Sequence, residues 1–477
     1  MTRNIGLLRP LLLVALFGIA EPTPAVAQRT GTPAARVDEL MAPYSTGGQP
    51  GGVIAVVERG EVIFAKGYGL ANLEHGVPMT SETVLDIGSV AKQFTAFAIV
   101  LLAQDGKLSF DEDIRTYLPA VPDFGPTITV RHLVHHVSGL REIYNSRALE
   151  GWQAGDGMSQ GDALRLTARM RELNFEPGTE HLYCNTGYML VADIVAEVSG
   201  MSFPDFMEER VFGPLGMTHT TIMSRLGQSI PGSAESYGRT EEGDFVRIFD
   251  NSALFGAGGI YTTAGDLARW MANFGTAAVG GPAALEQMQE RGVLANGDTL
   301  VYAFGITVTE RRGLRVLAHT GSSAGYRASF TYFPELDAGV ITMSNLAQFD
   351  GSIAGDVAEA FFGDRMGPRP EPQTRQEERE DQREAWKPTA VELATLAGRY
   401  FSPELQTMYT LAVEGARLIA KHRRHADFDF EPVEEDSFSG ESFFGTADFQ
   451  RDGSGAVTGM RVSNGRVRNM WFEKLPG

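Results

Sequence analysis

The chain has 477 residues, 43% of them hydrophobic, and a formal net charge of −19. That apolar fraction excludes global disorder, and the acidic balance argues against a nucleic-acid partner, which needs a basic surface. A single cysteine, Cys184, excludes an intrachain disulfide framework, a thiolate zinc cage and an iron–sulfur cluster.

Residues 1–27 read as an export signal. Arg3 and Arg9 give a positive start, residues 11–20 form a short apolar run, and Ala25-Val26-Ala27 fits a cleavage site. The run is far too short to span a bilayer, which takes about 20 residues. No cysteine follows it to carry a lipid. The expected product is soluble and periplasmic or secreted, with no stable membrane anchor. Next, residues 52–57 and 61–70 flank Arg59-Gly60 and read as a β-hairpin. Ala91, Phe94, Ala98 and Leu101 recur at helical spacing, so a helix is expected over 90–102. A second helix is expected over 188–198, with Gly200 as its stop.

Three strand-like runs follow at 314–319, 326–333 and 339–344, then a helix at 356–362. Strands at both ends around a helical middle predict an α+β domain. Its antiparallel sheet, flanked by helices, would bring the first and last strands together. The composition shifts at Gly367, and residues 375–384 are all charged or amide-bearing, which marks a linker. Beyond Pro388, seven or eight short strands fit between 398 and 474. Turn signals at Glu414-Gly415 and Asn464-Gly465 predict a small antiparallel barrel. The expected division is 1–27 signal, 28–366 catalytic domain, 367–388 linker and 389–477 barrel.

The chemistry begins at Ser89-Val90-Ala91-Lys92. S-x-x-K spacing puts Lys92 one turn from Ser89 on the same face. A serine hydroxyl is a weak nucleophile that needs an adjacent base. Lysine can serve if burial or a neighbouring cation lowers its pKa. Tyr183-Cys184-Asn185 precedes the second helix, and His319-Thr320-Gly321 ends the strand from Leu314. Singly, Tyr183 would pass for a core aromatic and Ser89 or Asn185 for helix caps.

In this order, S-x-x-K, Y-x-N and H-T-G resemble the serine β-lactamase and penicillin-binding-protein superfamily. The likeness is greatest to the branch of class C β-lactamases, D-aminopeptidases and related esterases, and it covers roughly residues 35–365. Stretches from Arg131 to Leu140 and from Gly256 to Trp270 look similar as well. The C-terminal module resembles a lipocalin-like barrel. The resemblance implies that Ser89 is acylated and that Lys92 and Tyr183 share the acid–base work, leaving open which is the base. It implies that Asn185 orients Lys92 or the substrate amide. His319, Thr320, Gly321 and Ser322 would hold the substrate, with the backbone N–H groups of Ser89 and Ser322 as oxyanion hole.

Position 319 departs from many relatives, which carry a lysine that holds a substrate carboxylate. Histidine is mostly neutral at pH 7 and a weaker anchor. The expected activity is therefore an exported serine hydrolase of D-amino-acid peptides or small esters and amides. A β-lactamase, a D,D-carboxypeptidase and a non-catalytic sensor of cell-wall fragments are the alternatives. The partner is a small-molecule or peptide substrate, peptidoglycan-derived peptides included, with no cofactor and no metal. His132, His135 and His136 lack the H-E-x-x-H pattern and read as packing residues. Gly256 to Gly259 lacks G-K-[ST] and reads as a turn. Arg417, Lys421, Arg423 and Arg424 read as a solvated strand face.

Overall fold

A computed structural model describes residues 31–153, 155–249, 251–369 and 386–476. The expected signal and most of the expected linker lie outside the described residues. Helix α1 (Pro33–Met41) starts at Thr32, whose side chain accepts from the Ala35 N–H. Strands β1 (Gly52–Glu58) and β2 (Glu61–Tyr68) form the expected hairpin. Arg59 and Gly60 both have positive φ, 52° and 78°, which is the turn that matches strand twist.

Helix α2 (Lys92–Gln104) follows a 3-10 turn over Gly88–Ala91. Helix α3 (Asn185–Ser199) begins earlier than the sequence suggested. Gly187 stands just before the expected start at 188. It instead lies in the first turn, where a Cβ would come within 3.3 Å of the Leu133 carbonyl, so it permits close packing. Gly200, at φ 73°, ends the helix as expected.

Strands β3 (Thr307–Arg311), β4 (Leu314–Ser323), β5 (Tyr326–Phe333) and β6 (Ala338–Ser344) complete the main sheet, and α5 (Ile353–Phe362) crosses it after α4 (Ala264–Thr276). The order β3-β4-β5-β6-β1-β2 is antiparallel and places β1 beside β6. First and last strands meet, as the α+β reading expects. Both faces of the sheet are covered. Val53 and Ala55 pack with Phe330, Ile341 and Met343 under the helical layer. Ile54 and Val56 pack with Val340 against Val37, Met41 and Val357 of α1 and α5. This two-sided burial explains why β1 is apolar from Gly52 to Val57 and does not alternate.

Eight strands, β7 (Gly398–Ser402), β8 (Thr407–Glu414), β9 (Arg417–Lys421), β10 (Phe428–Glu434), β11 (Ser437–Ser439), β12 (Thr446–Arg451), β13 (Val457–Asn464) and β14 (Val467–Lys474), close into a barrel in chain order. The ring of Tyr409 packs against Phe428, Phe444 and Phe472. The two hairpin turns fall one residue later than expected, at 415–416 and 465–466. Gly465, at φ 51°, takes the first turn position and leaves Arg466 at the tip.

The barrel docks on the catalytic domain through a buried ion pair. Arg141 Nη1 reaches both carboxylate oxygens of Glu404, at 2.9 and 2.7 Å. Its Nη2 donates to the Arg468 carbonyl at 3.2 Å. Tyr409 donates to the Leu149 carbonyl at 2.9 Å, and Asn174 Nδ2 donates to the Arg466 carbonyl at 3.0 Å. The β13–β14 turn is thereby held against the segment around Glu142. Of the basic run, Arg417 pairs with Asp429, Lys421 with Glu414, and Arg424 with Asp156 across the interface.

Candidate active site

The nucleophile candidate lies in the 3-10 turn that leads into α2. Three residues per turn stack i over i+3, so Lys92 comes directly over Ser89. Strand β3 pairs with β4 only from Leu314 to Ala318. The edge of residues 319–323 is left to face Ser89. Two glycines allow that approach. A Cβ on Gly321 would lie 1.9 Å from the Ile87 carbonyl oxygen, and one on Gly88 would lie 2.6 Å from the Ser322 nitrogen. The G of H-T-G is therefore fixed by packing against the nucleophile turn. The Gly321 Cβ position is also 3.1 Å from the Ser89 nitrogen, so the backbone of 321–322 runs directly against the nucleophile turn.

Lys92 is fully buried and held by three contacts. Its Nζ lies 3.0 Å from Ser89 Oγ, 2.8 Å from Asn185 Oδ1 and 2.7 Å from the Ala257 carbonyl. The rings of Tyr183 and Tyr188 stand 4.8 and 5.5 Å from it. Burial drives its pKa well below the ordinary lysine value, Arg466 pushes the same way, and Glu142 opposes both. A neutral amine has two N–H groups and one lone pair. In that form the two carbonyl-type oxygens take the N–H groups and the lone pair is left for the Ser89 hydroxyl. Asn185 is fixed in turn, its Nδ2 donating to Glu142 Oε1 at 2.6 Å.

Tyr183 is shifted the opposite way. Burial raises its pKa above the usual phenol range, only partly offset by its hydrogen bond to Ser89 and by Arg466. A phenol pushed upward beside an amine pushed downward sets a proton donor beside a proton acceptor. The Arg466 guanidinium lies 5.5 Å from the Tyr183 ring and its Nη1 is 3.5 Å from the Tyr183 carbonyl.

His319 does not act as a cation here. Its Nε2 is 3.0 Å from the Tyr302 hydroxyl and its Nδ1 is 2.6 Å from the Thr320 carbonyl. Burial, with Lys92 nearby, lowers its pKa to about 3. Cys184 is buried, with its thiol on the Leu140 carbonyl at 3.4 Å, and burial pushes it up to about 11. It is no nucleophile at neutral pH. His136 Nδ1 accepts from the Cys184 N–H at 3.0 Å and His135 contacts the Glu290 carbonyl, as packing residues do. Gly256 and Gly259 have φ of 88° and 75°, so that stretch is a turn.

The structure thus brings Ser89, Lys92, Tyr183, Asn185 and the 319–322 segment together. It adds Glu142, the Ala257 carbonyl, Tyr302 and Arg466, which the sequence reading did not single out. Two hollows meet at Ser89 and Ser322. One, of about 320 Å³, is walled by Tyr144, Trp152, Met223, Phe249, Leu254 and Tyr261. The other, of about 470 Å³, is lined by Tyr183, His319, Thr320, Arg327, Ser329 and Thr342.

Residues 34–363 match the family model described as Beta-lactamase. The chain is 30% identical over 317 residues to a D-aminopeptidase of Cereibacter sphaeroides, across 66% of this chain and 60% of that protein. It therefore spans less than two thirds of that relative's length. Its fold is similar to an octameric penicillin-binding-protein homologue from Pyrococcus abyssi, with a TM-score of 0.61 and 21% identity over 92% of this chain and 100% of that one. It is also similar to a D-amino acid amidase from Ochrobactrum anthropi, with a TM-score of 0.56 and 22% identity over 69% and 96% of the two chains. At those identities the structural likeness speaks for the fold alone. The family match covers more than half of the sequence, and the chain belongs to the β-lactamase family.

Proposed function

We propose that this β-lactamase-family hydrolase works through an acyl-enzyme on Ser89 and acts on D-amino-acid peptides, amides or small esters. The observation that carries it is the Lys92 contact set, with Nζ 3.0 Å from Ser89 Oγ and two carbonyl-type oxygens beside it, where the amine in its neutral form turns its lone pair to the Ser89 hydroxyl. Ser89 Oγ attacks the substrate carbonyl while its proton passes to Lys92. The developing oxyanion takes the N–H groups of Ser89 and Ser322. The intermediate collapses as Tyr183 protonates the leaving atom, and Lys92 returns a proton to Tyr183. Water then cleaves the ester, with Lys92 again as base.

The D-amino-acid assignment is supported by the D-aminopeptidase relatives. Export is supported by the charged, apolar and small-residue order of residues 1–27. Assay of the full chain against p-nitrophenyl esters, D-amino-acid amides, D-Ala-D-Ala peptides and nitrocefin tests the reading, with Ser89→Ala as control. Turnover of D-amino-acid substrates or esters that vanishes in Ser89→Ala is expected. Turnover that survives in Ser89→Ala overturns it.

A further inference from the structure

A proton donor must stand within hydrogen-bond reach of the leaving atom, so the placement of Tyr183 matters as much as its chemistry. Its backbone is held from a distant segment by one residue. The His136 carbonyl accepts from the Leu182 N–H at 2.9 Å. The His136 Nδ1 accepts from the Cys184 N–H at 3.0 Å. The two residues that flank Tyr183 are thus tied to the same histidine. The His136 ring also packs on the Tyr183 ring, with centroids 4.1 Å apart and planes at 37°.

The same platform continues along the chain. The Val137 carbonyl accepts from the Gly178 N–H at 2.8 Å, and the Gly139 carbonyl accepts from the Asn174 N–H at 2.7 Å. The segment 174–184 is thereby fastened onto 136–139, and His136 is the end of the platform next to Tyr183.

The residue type fits this place. His136 has a φ of 59°, a left-handed conformation that histidine and asparagine adopt more readily than bulky or β-branched residues. It is fully buried. Burial, with Lys92 nearby, drives its pKa well below the ordinary histidine value, which leaves Nδ1 free to accept. The proton of the neutral ring is then on Nε2. That nitrogen is buried and has no hydrogen-bond partner among the described residues. The rings of Tyr302 and Tyr188 stand 4.7 and 5.0 Å from the imidazole. A buried donor without an acceptor costs stability. A phenylalanine would pack there without that cost, but it would leave the Cys184 N–H without its acceptor. What the imidazole adds over a phenylalanine is the Nδ1 acceptor beside Tyr183.

We propose that His136 is a positioning residue for Tyr183, clamping the backbone on both sides of it and backing its ring so that the phenol reaches the leaving atom. This rests on the acyl-enzyme reading above, in which Tyr183 is the proton donor. When the tetrahedral intermediate collapses, the bond from the carbonyl carbon to the leaving atom breaks and its electron pair stays on that atom. The leaving atom takes the Tyr183 proton. His136 gives and takes no proton and sets only the distance. A misplacement of about 1 Å in such a group costs about a hundredfold in rate.

The test uses the full chain and two acetate esters, p-nitrophenyl and ethyl, compared by kcat/KM, which reports the steps up to acylation. p-Nitrophenolate leaves without a proton, whereas ethoxide needs one, so only the ethyl ester depends on the acid. Glycine and asparagine both accept a left-handed backbone, so His136→Gly and His136→Asn keep the turn. His136→Gly removes the ring and the acceptor. It should lose about tenfold to hundredfold on the ethyl ester and less than about threefold on the p-nitrophenyl ester. His136→Asn restores an acceptor and should recover part of the ethyl-ester rate. An equal loss on both esters, or no loss on the ethyl ester, overturns the proposal. Tyr183→Phe is the benchmark and should show the same selective loss. An equal loss on both esters in Tyr183→Phe strikes the proton-donor reading and the proposal with it. A selective loss in Tyr183→Phe that His136→Gly does not share strikes His136 alone. Crystal structures of wild type and His136→Gly give a reading independent of turnover: a Tyr183 hydroxyl displaced from Ser89 supports the proposal, and one left in place contradicts it.

Discussion

The catalytic domain and the barrel contribute to the same site in different ways. The catalytic domain supplies side chains that can react: Ser89, Lys92 and Tyr183, each fixed by neighbours within hydrogen-bond distance. The barrel is a closed unit with an aromatic interior, and it sends in one turn tip, Arg466. That tip lies 5.5 Å from the Tyr183 ring and pushes the pKa of both Lys92 and Tyr183 downward. The difference teaches that the groups placed to react lie in one domain, where burial and Glu142 already bear on Lys92, while the second domain, joined by the Arg141–Glu404 pair, adds one further cation.

This division can be broken at several points. Ser89→Ala should cost the most, on the order of 10⁶ in kcat, because the acyl-enzyme cannot form. Stopped assays on the ester and amide panel measure it. Lys92→Met keeps the bulk but removes the base, and a loss of about 10²–10⁴ is expected in the same assay. A loss under tenfold would move the base role to another group.

Arg141→Met tests the joint between the domains. It leaves Glu404 buried without its partner, where burial already pushes that carboxyl upward. Breaking a buried pair costs about 3–5 kcal/mol. Calorimetry should show the barrel transition separating from that of the catalytic domain. A single unshifted transition would mean the pair does not hold the joint.

Arg466→Gln has the smallest expected effect and the most specific one. Lys92 must be neutral to accept a proton, so kcat/KM rises with pH as Lys92 deprotonates. Arg466 lowers the Lys92 pKa, whereas Glu142 and Cys184 raise it. Removing the Arg466 cation therefore raises that pKa and moves the acidic limb of the profile to higher pH. A limb that stays in place would reduce the barrel to a passive attachment.

Much of the site was legible because its parts sit in short motifs. Ser89 and Lys92 are three residues apart, and Tyr183 and Asn185 flank one position at the start of α3. Strands β1, β2, β4, β5 and β6 were legible from apolar runs, whereas the edge strand β3 was not, and the joining of β1 to β6 followed from their places at the two ends of the domain. What escaped has physical reasons. Glu142 is a fully buried carboxylate, which composition never suggests, and its role depends on Asn185 folding back onto it. Ala257 acts through its carbonyl, which any residue would present. Arg466 and Tyr302 come from distant segments, and only the docked fold brings them to Tyr183 and His319. His319 was read as a weak cation from its type, but its burial beside Tyr302 makes it no cation at all.

The most direct test of the central claim is intact-protein mass spectrometry after brief exposure of the full chain to a serine-reactive acylating probe. Wild type should gain one acyl mass, mapped by digestion to Ser89, and Ser89→Ala should gain none. An adduct at another residue, or equal adducts in both proteins, would contradict the account.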